Sequence, residues 1–237
     1  ANRTLMVDYN NAVDNESNRD TEFAEGLFVD ITDQLEIPYT HEENDFVEFN
    51  REALIPHMVS REGPAIAVRD VNGDSLDDFF AGGAKHQEAS LYIQQGDGSF
   101  KAKKAAAFAD DIIYEDVDAA FVDVDGDEDL DLIVISGGNE YYGQSEYMLP
   151  RLYLNDGKGS FVRDMERLPE FYSTGSVVAT GDVDNDGDTD LFIGSRAIPW
   201  KYGVQPTSYL LINNDGYFEI DTTSFGNKFS HLGMVTD

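Results

Sequence analysis

Three short segments of this chain concentrate oxygen-bearing side chains at a fixed spacing. They read Asp70-Val-Asn-Gly-Asp-Ser-Leu-Asp-Asp78, Asp123-Val-Asp-Gly-Asp-Glu-Asp-Leu-Asp131 and Asp182-Val-Asp-Asn-Asp-Gly-Asp-Thr-Asp190. Together they hold fifteen of the chain's 47 acidic residues. One charge run on its own is ordinarily a solvated face. Three copies in the frame D-x-[DN]-x-D-x-x-x-D call for a cation, because carboxylates packed this closely repel one another and raise each other's pKa values.

Calcium explains the frame. It takes six to eight oxygens from carboxylates, amides, backbone carbonyls and water. Positions 1, 3 and 5 point inward from a tight loop: Asp70, Asn72 and Asp74; Asp123, Asp125 and Asp127; Asp182, Asp184 and Asp186. Position 7 offers a backbone carbonyl, so its side chain varies among Leu76, Asp129 and Asp188. Position 9 returns a last carboxylate from Asp78, Asp131 or Asp190. Three calcium sites are therefore expected, with magnesium second because it demands stricter octahedra and fewer protein ligands. An EF-hand is excluded. Its loop needs a bidentate Glu at position 12, where this chain has Ala81, Val134 and Ile193.

The elements that must hold these loops are strands. Short runs rich in small residues lead in, at Ala65–Val68, Ala119–Val122 and Val177–Thr180. Apolar, β-branched or aromatic runs such as Asp131–Ser136 and Asp190–Gly194 lead out to glycine. A third strand and a glycine turn follow at Leu91–Gly98, Leu152–Gly159 and Leu210–Gly216, and a fourth strand opens on Phe100, Phe161 or Phe218. The loops begin 53 and 59 residues apart. Four antiparallel strands repeated at that interval make a propeller blade. The fold class is all-β: a β-propeller segment with its calcium loops between first and second strands. Blades are expected over about 63–104, 116–165 and 174–222, with a further one starting at 230–237.

The segments 70–83, 123–138 and 182–194 resemble FG-GAP repeats, also called VCBS repeats, as in the propeller of integrin α chains. Phe49-Asn-Arg-Glu52, Leu54-Ile-Pro-His57, Gly82-Gly-Ala-Lys85 and Arg151–Lys158 resemble most closely the bacterial ASPIC/UnbV-type proteins related to cartilage acidic protein. The resemblance covers roughly residues 27–237 and implies calcium on all three loops. It also makes Ser75 and Glu128 departures, since position 6 is often Gly in that family. Residues 1–26 read as the tail of a preceding domain plus a linker, and 28–32 as a fourth strand that completes a blade elsewhere in a longer parent chain. Three blades fall short of the four to eight of closed propellers.

Composition limits the function. With 16 basic residues against 47 acidic ones the net charge is −31, which repels nucleic acid. No apolar run reaches the roughly 20 residues of a membrane-spanning helix. The absence of cysteine excludes disulfides and thiol chemistry. No P-loop, nucleophile elbow, dinucleotide fingerprint or HExxH occurs. The four histidines, His41, His57, His86 and His231, are scattered. The expectation is a non-catalytic module, secreted or on the surface of a Gram-negative bacterium, where millimolar calcium is available. The alternative is a propeller part of a polysaccharide-degrading enzyme. Strand connectivity sends the variable aromatic segments 139–147 and 196–203 to the end opposite the calcium loops. There Tyr141, Tyr142, Trp200 and Tyr202 would form one patch for a protein or glycan partner.

Overall fold

The computed structural model describes residues 31–35 and 37–236. The chain divides into two units, residues 1–32 and 33–237. Among the described residues, twelve strands, all in the second unit, form three four-stranded antiparallel sheets in simple up-and-down order. Sheet 1 holds β1 (Ile66–Arg69), β2 (Asp78–Ala81), β3 (Ser90–Gln94) and β4 (Phe100–Lys103). Sheet 2 holds β5 (Asp116–Val122), β6 (Asp131–Ser136), β7 (Arg151–Asn155) and β8 (Phe161–Asp164). Sheet 3 holds β9 (Thr174–Gly181), β10 (Asp190–Ala197), β11 (Tyr209–Asn214) and β12 (Tyr217–Ile220). These are the blade-like sheets the repeat predicts. Among the described residues no strand joins sheet 3 back to sheet 1.

The period of two along each strand divides the core. All six residues of β6 are buried. Leu132 and Val134 face sheet 1, where they meet Phe80 and Leu91, with Phe121 of their own sheet in the same cluster. Ile133 and Ile135 face sheet 3 and meet Leu191, Ile193 and Leu211. A central strand covered on both faces reads as a continuous apolar run, and Leu-Ile-Val-Ile is one. Close approach of sheets 2 and 3 needs glycine near the start of β9: a Cβ on Gly175 would lie 2.2 Å from the Ile135 side chain. On the far side of sheet 1, Ile66 and Val68 remain exposed beside the stacked rings of Phe79 and Tyr92.

Sheet 2 and the segment leading into it also share a buried ionic network. The Arg151 guanidinium pairs with the Asp116 carboxylate, both almost fully buried. Its flat face lies 4.2 Å from the centre of the Tyr114 ring. Tyr153 donates its hydroxyl hydrogen to Asp111 at 2.6 Å, and Arg163 pairs with the same carboxylate. Breaking one partner of such a pair leaves a buried charge uncompensated.

The two chain ends depart from expectation. Of the fourth strand anticipated at 28–32, residues 28–30 lie outside the described residues and Thr32 opens a single helical turn, Thr32–Leu35. At the other end no strand is assigned over 232–236. Val235 nevertheless donates its N–H to the Ser195 carbonyl at 3.0 Å and accepts a 2.8 Å bond from the Ser176 hydroxyl. Asp116 meets the Gly83 carbonyl the same way between sheets 1 and 2, at 3.0 Å. The tail thus takes the docking position of a following inner strand without forming a ladder. The expectation for residues 1–26 lies outside the described residues.

Candidate metal centre

The three acidic segments fold as one repeated loop. The position 1 carboxylate turns back on its own backbone. Asp70 accepts N–H bonds from Gly73 and Ser75, Asp123 from Gly126 and Glu128, and Asp182 from Asn185 and Gly187, at 2.7–3.2 Å. Position 5 does the same with position 7: Asp74, Asp127 and Asp186 accept from Leu76, Asp129 and Asp188, each at 2.9 Å. Bonds of this kind explain why Asp and Asn open tight turns. The geometry forces two left-handed residues per loop. Position 4 has Gly73, Gly126 and Asn185, with φ of 77°, 75° and 65°. Position 6 has Ser75, Glu128 and Gly187, with φ of 70°, 70° and 103°. Ser75 and Glu128 therefore adopt a backbone suited to glycine, at a cost of roughly 1–2 kcal/mol each. The departures noted in the sequence keep the loop shape and carry strain instead.

Position 9 plays the same part in every copy. Asp78, Asp131 and Asp190 are 0–2 % exposed. One oxygen of each accepts the position 2 N–H, from Val71, Val124 or Val183 at 2.7–3.2 Å. The other accepts an N–H from the end of the third strand, that of Gln94, Asn155 or Asn213, at 2.8 Å. Loop and hairpin therefore share one end of each sheet, as strand connectivity requires. Asn155 and Asn213 go further. Their amides donate to the Val71 and Val124 carbonyls of the preceding sheet's loop, at 2.8 and 2.9 Å. Sequence reasoning took these asparagines only as turn residues, although their recurrence in Leu-Asn-Asp-Gly and Ile-Asn-Asn-Asp-Gly was the available signal. Position 7 also has a side-chain task in sheet 3, where the Asp188 carboxylate accepts the Asp215 N–H at 3.0 Å.

Two groups of carboxylates converge. Asp123, Asp125 and Asp127 can each place an oxygen within 4.8 Å of the others, and so can Asp182, Asp184 and Asp190. The second loop thus brings together positions 1, 3 and 5; the third brings together positions 1, 3 and 9, with Asp186 outside the trio. Asp131 stands apart from the first trio. In the first loop Asn72 replaces one carboxylate and donates its amide to Asp74 at 3.2 Å. The donors are all hard oxygens, suited to calcium or magnesium and unsuited to thiophilic metals. The electrostatics agree. Burial pushes Asp131 up to about 6, with Asp125 and Asp127 adding to the shift against the N–H groups of Asn155 and Val124. Asp184 rises through desolvation and the charges of Asp186 and Asp190. A divalent cation among these groups would reverse that pressure. One cation is already present: the Arg167 guanidinium lies 3.2 Å from Asp125, a neighbour that no sequence spacing announces.

The opposite end is crossed by residues 39–62. Tyr39 donates to the Gly82 carbonyl at 2.6 Å, Arg51 bonds to the Asn139 and Glu140 carbonyls, and Glu62 pairs with Arg196 at 3.0 Å. One strap thereby touches all three sheets. Glu52 is its centre, accepting from the Asn139 amide at 2.7 Å and from the backbones of Trp200 and Tyr202 at 3.2 and 3.0 Å. Burial opposes its ionisation, but the Asn139, Tyr202 and Trp200 donors and Arg51 outweigh it and hold Glu52 below the usual carboxylate range. Of the anticipated aromatic patch, Tyr142 and Trp200 do meet, with ring centres 5.3 Å apart. Tyr141 turns instead toward Lys85 and Tyr147, and Tyr202 is half-buried. Nearby, Glu115 is buried against Lys85 and Glu140. Burial, offset in part by the Lys85 N–H and reinforced by Glu43, Asp116 and Glu140, pushes it up to about 8.

No helix among the described residues is long and apolar enough to cross a membrane. No curated protein matches the chain. The FG-GAP-like repeat pattern matches residues 70–134 and again 123–193, just over half of the chain, and both matches begin on the first aspartate of an acidic loop. With three sheets of one design, each opened by the same loop, the chain belongs to the FG-GAP-like repeat family.

Proposed function

We propose that this chain is a calcium-stabilised propeller segment that serves binding or assembly outside the cell, without catalysis of its own. The observation that carries the reading is the shared loop frame: three copies keep the same bonds from positions 1, 5 and 9, and two gather three carboxylates within 4.8 Å. In this reading calcium takes positions 1, 3, 5 and 9 by side chain and position 7 by backbone carbonyl, at all three loops. The ion neutralises charges that otherwise repel, and it joins the start of the second strand to the loop before it. A site filled by protein oxygens leaves no open position for Lewis-acid chemistry, so the metal is structural.

The specific relation to ASPIC/UnbV-type proteins, the bacterial cell surface and a role as one section of a longer parent chain belong to the same proposal. They are supported by the repeat type, by the segment Phe49–Glu52 now seen as the strap's anchor, and by loops suited to millimolar calcium. The partner binds the face opposite the loops. Equilibrium dialysis against radioactive calcium tests the metal assignment: three ions per chain are expected, falling to two in Asp182→Ala. No bound calcium at millimolar concentration would overturn it.

A further inference from the structure

The face opposite the acidic loops carries a cleft of about 430 Å³ between sheets 2 and 3. We infer that this cleft is a binding site for a neutral oligosaccharide, an inference that rests on reading this face as the binding surface. Its volume lies within the roughly 300–1,000 Å³ of small-molecule sites.

Charge comes first. One residue in five of this chain is acidic, yet none of the fourteen residues lining the cleft is Asp or Glu. A second cleft, around Lys85 and His86, has the usual character, with Glu42, Glu43, Asp45 and Glu140 in its wall. A basic ligand would therefore be drawn elsewhere on the molecule, and an acidic polymer is opposed by the net charge of −31.

The lining then selects among neutral ligands. Tyr142, Tyr172, Trp200 and Tyr209 present ring surface, and Lys201 and Thr207 supply polar groups beside it. Aromatic faces stack on the C–H face of a pyranose while hydroxyl and ammonium groups bond its rim, the mixture of apolar wall and few polar contacts that ligand sites use. Among the described residues, no carboxylate pairs with Lys201, and the Tyr209 hydroxyl meets no protein partner. An extended peptide has less to hold. The strands beneath the cleft are committed to their own ladders, Thr174 opposite Ala197 and Ile193 opposite Tyr209.

The fourth observation is how Trp200 is held. Its φ is 70°, a conformation non-glycine residues avoid, and the residue is 57 % exposed. Glu52 accepts its N–H and that of Tyr202, while Arg51 lies 5.2 Å from the indole centre. A large apolar ring kept in a strained turn and turned toward solvent beside Tyr142 is a platform waiting for a flat partner.

Trp200 is the chain's one tryptophan, so its emission reports on the cleft directly. The full chain, in calcium, is titrated with cellohexaose, maltohexaose and chitohexaose, and with trigalacturonate as an acidic control. A saturable change in emission is expected with at least one neutral hexasaccharide and none with the acid. Tyr142→Ala should weaken that binding at least tenfold, and calorimetry should show the same loss in Trp200→Ala, with both melting temperatures unchanged. If no neutral oligosaccharide binds, and a screened protein or peptide instead loses affinity in these variants, the ligand class is wrong and the surface reading stands. If binding persists undiminished in both variants, the cleft is not the site and the surface reading falls with it.

Discussion

The two ends of these sheets are built on different principles. At the acidic end, most contacts span no more than five residues and the same loop is printed three times, each copy pinned by a buried aspartate. At the strap end the contacts to the sheets are each made once and bridge distant sequence: Glu52 to Trp200, Glu62 to Arg196, Tyr39 to Gly82. The first end crowds like charges, which a bound cation would relieve. The second pairs its charges internally, as Lys85 does with Glu140 and Arg196 with Glu62. Repetition makes the acidic end a scaffold device, and lack of repetition leaves the strap end free to be specific.

That contrast predicts how each end responds to change. The largest effect belongs to Glu115, on the strap side. Its folded pKa of about 8 exceeds the ordinary value of 4.5. Below pH 4.5 both folded and unfolded chains carry the proton and nothing is lost. Between 4.5 and about 8 only the unfolded chain releases it, so this group lowers stability as pH rises, by about 1.4 kcal/mol per pH unit, and levels off above. Glu115→Gln should leave the melting temperature at pH 4.5 alone and raise it increasingly toward pH 8. Parallel melting curves for the two proteins across that range would contradict the assignment.

Next is Asp190→Ala in sheet 3. It removes a buried acceptor of two N–H bonds and should cost about 3 kcal/mol by denaturant titration, because the Asn213 donor stays buried and the Val183 donor partly so. Asp188→Ala, which loses one more exposed bond, should cost about 1 kcal/mol or less. Equal losses would mean that the position 9 pin is not special.

At the strap, Glu52→Ala should cost about 2 kcal/mol by freeing the Asn139 amide and two backbone donors. The sharper readout is the emission of Trp200, which should shift in Glu52→Ala and stay constant in Asp190→Ala. The smallest effect has the opposite sign. Glu128→Gly relieves a left-handed residue and should stabilise the chain by about 1 kcal/mol after the entropy of the added glycine is counted. Asn185→Gly should gain less, since asparagine tolerates that region.

The same contrast explains what could be read from the sequence. The loops, the strand order and the apolar run of Asp131–Ser136 were legible because their causes lie within one strand or turn. The ligand list was legible residue by residue, but not the division of labour within it: Asp131 is pinned by Val124 and Asn155 while Asp123, Asp125 and Asp127 converge. Arg167 beside Asp125 and Glu52 beneath Trp200 were invisible, since nothing in local spacing links residues brought together by sheet packing. The patch of four aromatics was half right for the same reason. Tyr141 and Tyr142 are neighbours in sequence and point to different sides of a loop.

The central claim is that calcium holds the acidic end together. Thermal unfolding of the full chain in calcium and after chelation tests it most directly. With each site at a Kd of about 10⁻⁴ M and calcium at about 10 mM, each ion contributes about 2.7 kcal/mol. The account predicts a melting temperature many degrees lower in EDTA, restored by adding calcium back. An identical melt with and without calcium would contradict it.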